Sequence, residues 1–404
     1  MVPLHRMDTD RRRALCISAL VVVVATVAVQ LIRALRFPLG TDFVGVFDVG
    51  GGILRSGRTD LYDPAAQFAV ARQLLGAVPV AGFHSEYVDH PLLAWIFQPA
   101  SRLPYETGLA LFLLISLGVL VLSAVLALPL LGDDRRSLIG ASLLGLAIFS
   151  LPASLVLATA QIDSLFLLGL VLSIRLMLAR RPLLAGLLLG VPMLKPQLVW
   201  LVVPLLVIAR QWRAILGAGL AALAVVGTAF LLLPVAALAQ WPANVMRIPL
   251  SVASSSIGLP TAIAPLAGTQ ARGAEIGVAL LCAVTALALA WRARDRLRSR
   301  PELCIALGVA ASLVAAPYGF PYDLVLLAPA LLVWAAWDGI RFPLAAVLAM
   351  DVAFGLDQVL PGPAAQIQGL VLGAVVVLLF WRMASEVPAR PRAPRTRSLE
   401  VAPS

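Results

Sequence analysis

Long apolar blocks alternate with short polar breaks along almost the whole chain, and the breaks carry arginine far more often than any other charged residue. Blocks such as Leu15 to Leu35 and Gly108 to Leu131 are long enough to cross a hydrocarbon layer about 30 Å thick. They are apolar around the whole helical circumference, which is the pattern of a membrane helix. The spacing predicts a first helix over 14–36 and further helices near 108–131, 138–157, 163–179, 214–234, 274–291, 302–317, 323–337, 342–356 and 364–381. The fold class is therefore an all-α polytopic membrane protein. It has about 12 membrane helices, counting both arms of one re-entrant hairpin.

The arginine breaks orient these helices, because cationic loops stay on the cytoplasmic side. Arg11, Arg12 and Arg13 place the N-terminus inside, and the first helix exits to an outside loop over 37–90. Asp133, Asp134, Arg135 and Arg136 then lie inside, as do Arg180 and Arg181. Residues 182–209 have arginines at both ends, Arg180 and Arg181 before, Arg210 and Arg213 after. A single crossing there would invert everything downstream and put Arg292, Arg294, Arg296, Arg298 and Arg300 outside. A hairpin of two half-helices, each roughly 20 Å long, avoids this. Its break falls at Lys195, since a residue before proline avoids helical geometry. A second outside loop over 235–273 contains Trp241, Arg247 and the run Ser254, Ser255, Ser256. Both termini are then cytoplasmic: residues 1–13 form a short leader, 14–382 the membrane domain, and 383–404 a disordered tail rich in proline and arginine.

Within the first outside loop, Asp63 followed by Pro64 starts a helix whose Phe68, Leu75 and neighbouring alanines form an apolar stripe opposite Gln67 and Arg72. Such a helix lies on a membrane surface. Pro91 to Pro104 is apolar but too short to span, and reads as an interfacial segment leading into the second helix.

Composition agrees with this picture. Hydrophobic residues make up 61% and charged residues 13% of the chain, and mean hydropathy is +0.95, which excludes a soluble domain. The net charge of +10 is spread through the inter-helix clusters and so reflects membrane orientation; no nucleic acid is expected as a partner. Cys16, Cys282 and Cys304 sit in or beside apolar segments without metal-ligand spacing, so neither a disulfide framework nor a metal site is expected. The first helix is longer than a signal-peptide core and reads as uncleaved.

Ionisable groups near membrane depth are costly and ask for a reason. Lys195 is the only lysine in the chain and occupies the hairpin tip, where a compact ammonium suits a phosphate oxygen; the alternative is a side chain snorkelling to the interface. Asp42, in Gly40-Thr41-Asp42-Phe43, places a carboxylate just outside the first helix, as a general base or as an ordinary loop residue or cap. Gln161 and Asp163 interrupt a pair of apolar helices and either hydrogen-bond a sugar or cap the second helix. Tyr318, Tyr322 and Asp323 form a polar aromatic turn, as a sugar-site wall or an interfacial anchor. His90, before Pro91, is a phosphate donor or a structural residue. None of the spacings matches a nucleotide-binding glycine loop or a nucleophile elbow.

Taken in order, these pieces resemble glycosyltransferase family 87, the bacterial polyprenol-phosphate-sugar-dependent membrane enzymes that include mycobacterial mannosyltransferases of phosphatidylinositol mannoside synthesis. The resemblance is carried by Thr41-Asp42-Phe43 with Gly57 and Leu61-Tyr62-Asp63, and by Tyr87 with His90-Pro91-Leu92. It continues in Gln161-Ile162-Asp163-Ser164, Ala185-Gly186, Leu194-Lys195-Pro196-Gln197 and Tyr322-Asp323. It implies a GT-C type helical bundle with its active site at the extracytoplasmic face of the bacterial plasma membrane. It also implies a polyprenyl-phosphate sugar donor, a lipid or glycan acceptor, and Asp42 as the catalytic aspartate. Lys195, Gln161, Asp163, Gln197, His90, Tyr322 and Asp323 are the expected substrate-binding residues. One departure is plain: the chain reads Val88-Asp89-His90-Pro91 where the family commonly has a Tyr-Pro-Pro type of sequence, so mannose is not assigned.

The expected reaction is a single inverting displacement. Asp42 deprotonates an acceptor hydroxyl, while Lys195, joined by His90 or Arg247, stabilises the departing phosphate without a cofactor or an obligatory metal. The competing reading is a transporter or lipid flippase with Lys195 and Asp163 at mid-membrane; no internal repeat supports it. A transferase instead gathers Asp42, Lys195 and Asp323 around one cavity.

Overall fold

The computed structural model describes residues 42–43, 48–75, 87, 89–136, 138–245, 256–263, 266, 268, 271–359 and 364–385. The expected first helix, Arg247, Ser254, Ser255 and all but the start of the C-terminal tail lie outside the described residues. Every regular element among the described residues is helical.

Three short helices form a compact unit after residue 43: α1 (Val49–Arg55), α2 (Pro64–Leu75) and α3 (Pro91–Phe97). Helix α2 begins at Pro64 as the sequence predicts, with Asp63 Oδ1 accepting the Ala65 N–H at 3.2 Å. Its inward face differs from the predicted stripe. Ala66, Gln67, Val70 and Ala71 are buried, while Phe68 is 48% exposed and carries the Arg72 guanidinium over its ring. Gln67 turns inward because it clamps two backbones: Nε2 donates to Leu61 O at 2.7 Å and Oε1 accepts from Tyr87 N at 3.0 Å. A hydrogen-bonding role has overridden the polar-outside rule. Helix α1 contains Gly50-Gly51-Gly52, poor helix formers, because its neighbours leave no room for side chains. A Cβ on Gly50 would lie 2.7 Å from the Tyr87 ring, and one on Gly51 2.7 Å from the Phe97 carbonyl.

The bundle proper comprises α4 (Tyr105–Ala127), α5 (Leu138–Phe149), α6 (Leu151–Ala158), α7 (Asp163–Leu178), α8 (Pro182–Leu188), α9 (Val202–Ile208) and α10 (Trp212–Leu232). After these come α11 (Val235–Val245), α12 (Leu259–Ile263), α13 (Ala271–Arg292), α14 (Arg294–Ser299), α15 (Glu302–Ala315), α16 (Ala328–Asp338), α17 (Arg341–Val359) and α18 (Ala364–Ser385). Helix starts and stops fall close to those predicted, but their lengths are unequal. Among the described residues five helices are long and apolar enough to cross a membrane: Tyr105–Gly132, Gly140–Ala158, Trp212–Leu232, Ala271–Arg292 and Ile367–Ser385. Helix α7, with 16 residues, and α15, with 14, are shorter than that.

Helix α4 shows how such a bundle packs. Its outer face exposes Leu114, Ile115 and Val125, whereas Gly108, Ser116, Ser123 and Ala127 face inward. Small residues let backbones approach, and polar side chains bond between helices. Ser116 donates to Ser164 on α7 at 2.9 Å, and Ser173 on α7 donates to the Ala185 carbonyl on α8 at 2.6 Å. At the centre is α15, buried along its entire length.

Between Arg180 and Arg213 the helices are interrupted at Lys195. Lys195 is non-helical (φ −121°, ψ 76°) between single 3-10 turns at Pro192–Leu194 and Pro196–Leu198. Helices α8 and α10 run side by side in the same direction: Gly186 abuts Ala214, and Gly190 abuts Ala221. Residues 196–211 must therefore carry the chain back to the end where α8 started. The α8–α10 contact is backbone on backbone. A Cβ on Gly186 would stand 2.0 Å from the Ala214 carbonyl oxygen, and one on Gly217 2.1 Å from that of Leu183. Three helices close identically without glycine. Ala160, Arg180 and Arg210 adopt φ near +57°, and the following N–H reaches five residues back in each, Gln161 to Val156, Arg181 to Leu176 and Gln211 to Leu206.

Arginines collect at the end of the bundle where α7 finishes and α15 begins. Arg382 pairs with Asp338, Arg300 with Glu302, and Arg296 and Arg300 flank the Trp337 ring. Substituting Gly186 by leucine should destabilise the protein by about 3 kcal/mol or more, because neither backbone can retreat. Gly219→Ala, with open space around it, should be close to neutral; thermal unfolding in detergent compares the two.

Candidate functional site

At the end of the bundle opposite the arginines, three turns converge on one polar cluster. The first joins α6 to α7 and carries Gln161 and Asp163; the second is the hairpin tip with Lys195; the third links α15 to α16 and carries Tyr318, Tyr322 and Asp323. Each is fixed locally. The left-handed Ala160 turns the chain so that the buried Gln161 faces inward. Proline on either side of the lysine, at 192 and 196, forces the helical arms to stop there. In the third turn Asp323 Oδ2 accepts the Phe320 N–H at 2.6 Å, and the backbone of Gly319 is held by Ser256 Oγ at 2.9 Å and by the Ile257 N–H at 2.8 Å.

Gln161 is the hub. Its Oε1 accepts from Lys195 Nζ at 3.0 Å, and its Nε2 donates to Asp42 Oδ2 at 2.7 Å and to the Tyr322 hydroxyl at 3.1 Å. The Asp42 backbone N–H also bonds the Thr159 carbonyl at 3.1 Å, docking this segment onto the carboxyl end of α6. Lys195 pairs with Asp163 Oδ2 at 3.3 Å, and its ammonium lies 5.2 Å from the centroid of the Tyr322 ring and 5.8 Å from that of Phe166. It is 5% exposed. Asp163 Oδ1 and Asp323 Oδ1 are buried and have no hydrogen-bond partner among the described residues.

Of the residues singled out from sequence, Asp42, Gln161, Asp163, Lys195, Tyr322 and Asp323 are brought together. Gln197 is half-buried one turn beyond the lysine. His90 plays a structural part. Its Nδ1 accepts the Leu92 N–H at 3.2 Å as the N-cap of α3, and the ring packs edge-on against Trp241. Burial pushes its pKa down to about 4, so the imidazole is neutral and Nε2–H is its remaining donor. Asp89 was not recognised as a site residue. Tyr62 donates to its carbonyl at 3.0 Å, and its carboxyl acts on both Asp42 and Lys195. The one hint in sequence was its position directly before His90-Pro91. Burial raises the pKa of Asp89. Burial is also the largest influence on Asp42, lifting its pKa to about 6 with a further push from Asp89, against the lowering effects of the Gln161 hydrogen bond and the Lys195 charge.

Four carboxyls, those of Asp42, Asp89, Asp163 and Asp323, therefore stand around one ammonium. Such a group suits the hydroxyls of a sugar and the positive charge that develops at an anomeric carbon. Against families of known proteins, residues 87–317 match glycosyltransferase family 87. The chain belongs to that family. Searches of curated proteins and of solved structures gave no match. The family 87 match includes Gln161, Asp163 and Lys195, whereas Asp42, Tyr322 and Asp323 fall outside it and join the site through the contacts above. Membership makes the protein a membrane glycosyltransferase.

The ion pair is central to the stability of this family 87 site. Lys195→Met should cost about 3–5 kcal/mol by leaving Asp163 buried and unpaired. Lys195→Met combined with Asp163→Asn should cost less than the single change, and thermal unfolding of both variants tests the order.

Proposed function

We propose that the protein transfers a sugar from a polyprenyl-phosphate donor to a lipid or glycan acceptor, with Asp42 as the general base. The observation that carries this reading is the placement of Asp42. Its carboxylate is half-buried, held through Oδ2 by Gln161, and beside a cluster of polar groups suited to a sugar. Grouping Asp42 with Lys195 and Asp323 at one end of the bundle favours a transferase over a transporter, whose polar contacts belong at mid-membrane between repeats.

In the proposed step, Asp42 takes the proton of an acceptor hydroxyl as that oxygen bonds to the anomeric carbon. The bond from carbon to the phosphate oxygen breaks, its electron pair leaves with the polyprenyl phosphate, and the anomeric centre inverts. The neighbouring carboxylates favour the oxocarbenium-like transition state. A hexose such as mannose, or a pentose, fits this chemistry, and the step calls for no cofactor. The arginine-rich end faces the cytoplasm of a bacterial plasma membrane, both termini lie on that side, and the site opens on the extracytoplasmic face. The phosphate, arriving beside an acidic cluster, needs cations from the rim. By sequence Arg247 is placed for this.

Purified protein given sugar-labelled polyprenyl-phosphate mannose or glucose, with a membrane lipid extract as acceptor, should form a labelled product of inverted configuration. Asp42→Asn should lower that transfer by about 1,000-fold or more; equal transfer by wild type and variant would remove Asp42 from this role. The pH dependence follows from the raised pKa. The base works only when ionised, so kcat/KM should fall as pH drops through about 6, about two units above the range for a solvated aspartate.

A further inference from the structure

Lys195 is poorly placed to meet a phosphate: two of its three N–H donors are already engaged and its ammonium is buried. Its ammonium is 5% exposed, donates to Gln161 Oε1 and Asp163 Oδ2, and is flanked by the rings of Tyr322 and Phe166. A phosphate brought to it would also meet Asp42, Asp89, Asp163 and Asp323, and like charges at close range repel.

What the ammonium does determine is which way the Gln161 amide points. An ammonium can only donate, so the amide must offer it the oxygen, and the NH2 group is thereby turned to Asp42 and Tyr322. The opposite rotamer would set NH2 against the ammonium and the carbonyl oxygen against a carboxylate. The 2.7 Å bond to Asp42 Oδ2 leaves Oδ1 for the acceptor proton.

We infer that Lys195 and Gln161 are positioning residues that orient and ionise the Asp42 carboxylate, and that Lys195 is not the ligand of the donor phosphate. This rests on the reading of Asp42 as the base. The relay crosses from the hairpin tip through the α6–α7 turn to the segment at residue 42. The other groups facing Asp42 are Asp163 from α7, Asp89 from the segment before α3, and Tyr322 with its neighbour Asp323 from the turn before α16.

The test uses the full chain and the same transfer assay with polyprenyl-phosphate mannose or glucose. Gln161→Leu removes the donor and the acceptor of the relay, whereas Gln161→Glu keeps the size and the partner for Lys195 but loses the NH2. Both should lower kcat by about 10- to 100-fold with donor KM within about threefold, and both should move the acidic limb of the kcat/KM profile to higher pH. A loss of packing alone does not move that limb. Lys195→Met with Asp163→Asn removes the ion pair as a unit and so avoids a stranded buried charge. Added to Gln161→Leu, it should cost clearly less than it does alone, because the orienting part of the Lys195 effect passes through Gln161 and only its direct charge on Asp42 remains.

An unmoved acidic limb in both Gln161 variants would overturn the inference. So would a paired variant that raises donor KM and keeps its full cost on the Gln161→Leu background, the signature of a phosphate ligand. Transfer by Asp42→Asn at the wild-type rate would instead overturn the reading on which the inference rests.

Discussion

A single ammonium buried in an apolar bundle dictates much of this architecture. Removing Lys195 from water costs several kcal/mol, which only close and well-oriented partners offset. Asp163 supplies the counter-charge and Gln161 the second acceptor, and both lie on the turn between α6 and α7. The hairpin tip is therefore locked to that turn, and its two arms must reach the same end of the bundle as the start of α7. Arms built of short helices and 3-10 turns achieve this because Gly186 and Gly217 let α8 sink against α10 until backbone meets backbone. The site and the packing behind it are in this sense one object. The glycine contacts pack the arm that leads to Lys195, and Lys195 in turn bonds Gln161, which holds Asp42.

The features legible in the sequence were those set by simple, additive quantities. Apolar blocks located the helices, and arginines at both ends of residues 182–209 showed that this segment had to return, with Lys195-Pro196 as the break. Asp42, Gln161, Asp163, Lys195, Tyr322 and Asp323 stood out because each is polar where its surroundings are not, and the structure gathers them. Other features depended on particular neighbours. Gln67 looked like a solvent-facing residue, but its hydrogen bonds to two backbones draw it inside. A helix through Gly50-Gly51-Gly52 contradicts propensity and forms because Tyr87 and Phe97 press on it. Asp89 gave almost no signal, since a single acid before a histidine has no period to reveal it. The partners of Lys195 could not be read either: a lone lysine has no period to reveal them, and only the fold brings Gln161, Asp163 and the ring of Tyr322 to its ammonium.

Helix length adds the last constraint. Sixteen residues of α7 rise about 24 Å and the 14 of α15 about 21 Å, less than a hydrocarbon layer about 30 Å thick. Both begin or end at the polar cluster and reach the arginine-rich end with their other terminus. The polar cluster therefore sits at the ends of two helices that are each too short to span such a layer. Burial within the protein strips the Asp42 carboxylate of hydration, and this is the largest influence raising its pKa. The carboxylate is more basic than that of a solvated aspartate, yet with its pKa at about 6 it is ionised near neutral pH, because Gln161 and Lys195 oppose the cost of burial. Burial and the buried lysine thus act on one carboxylate in opposite directions, and their balance suits the general base proposed for it.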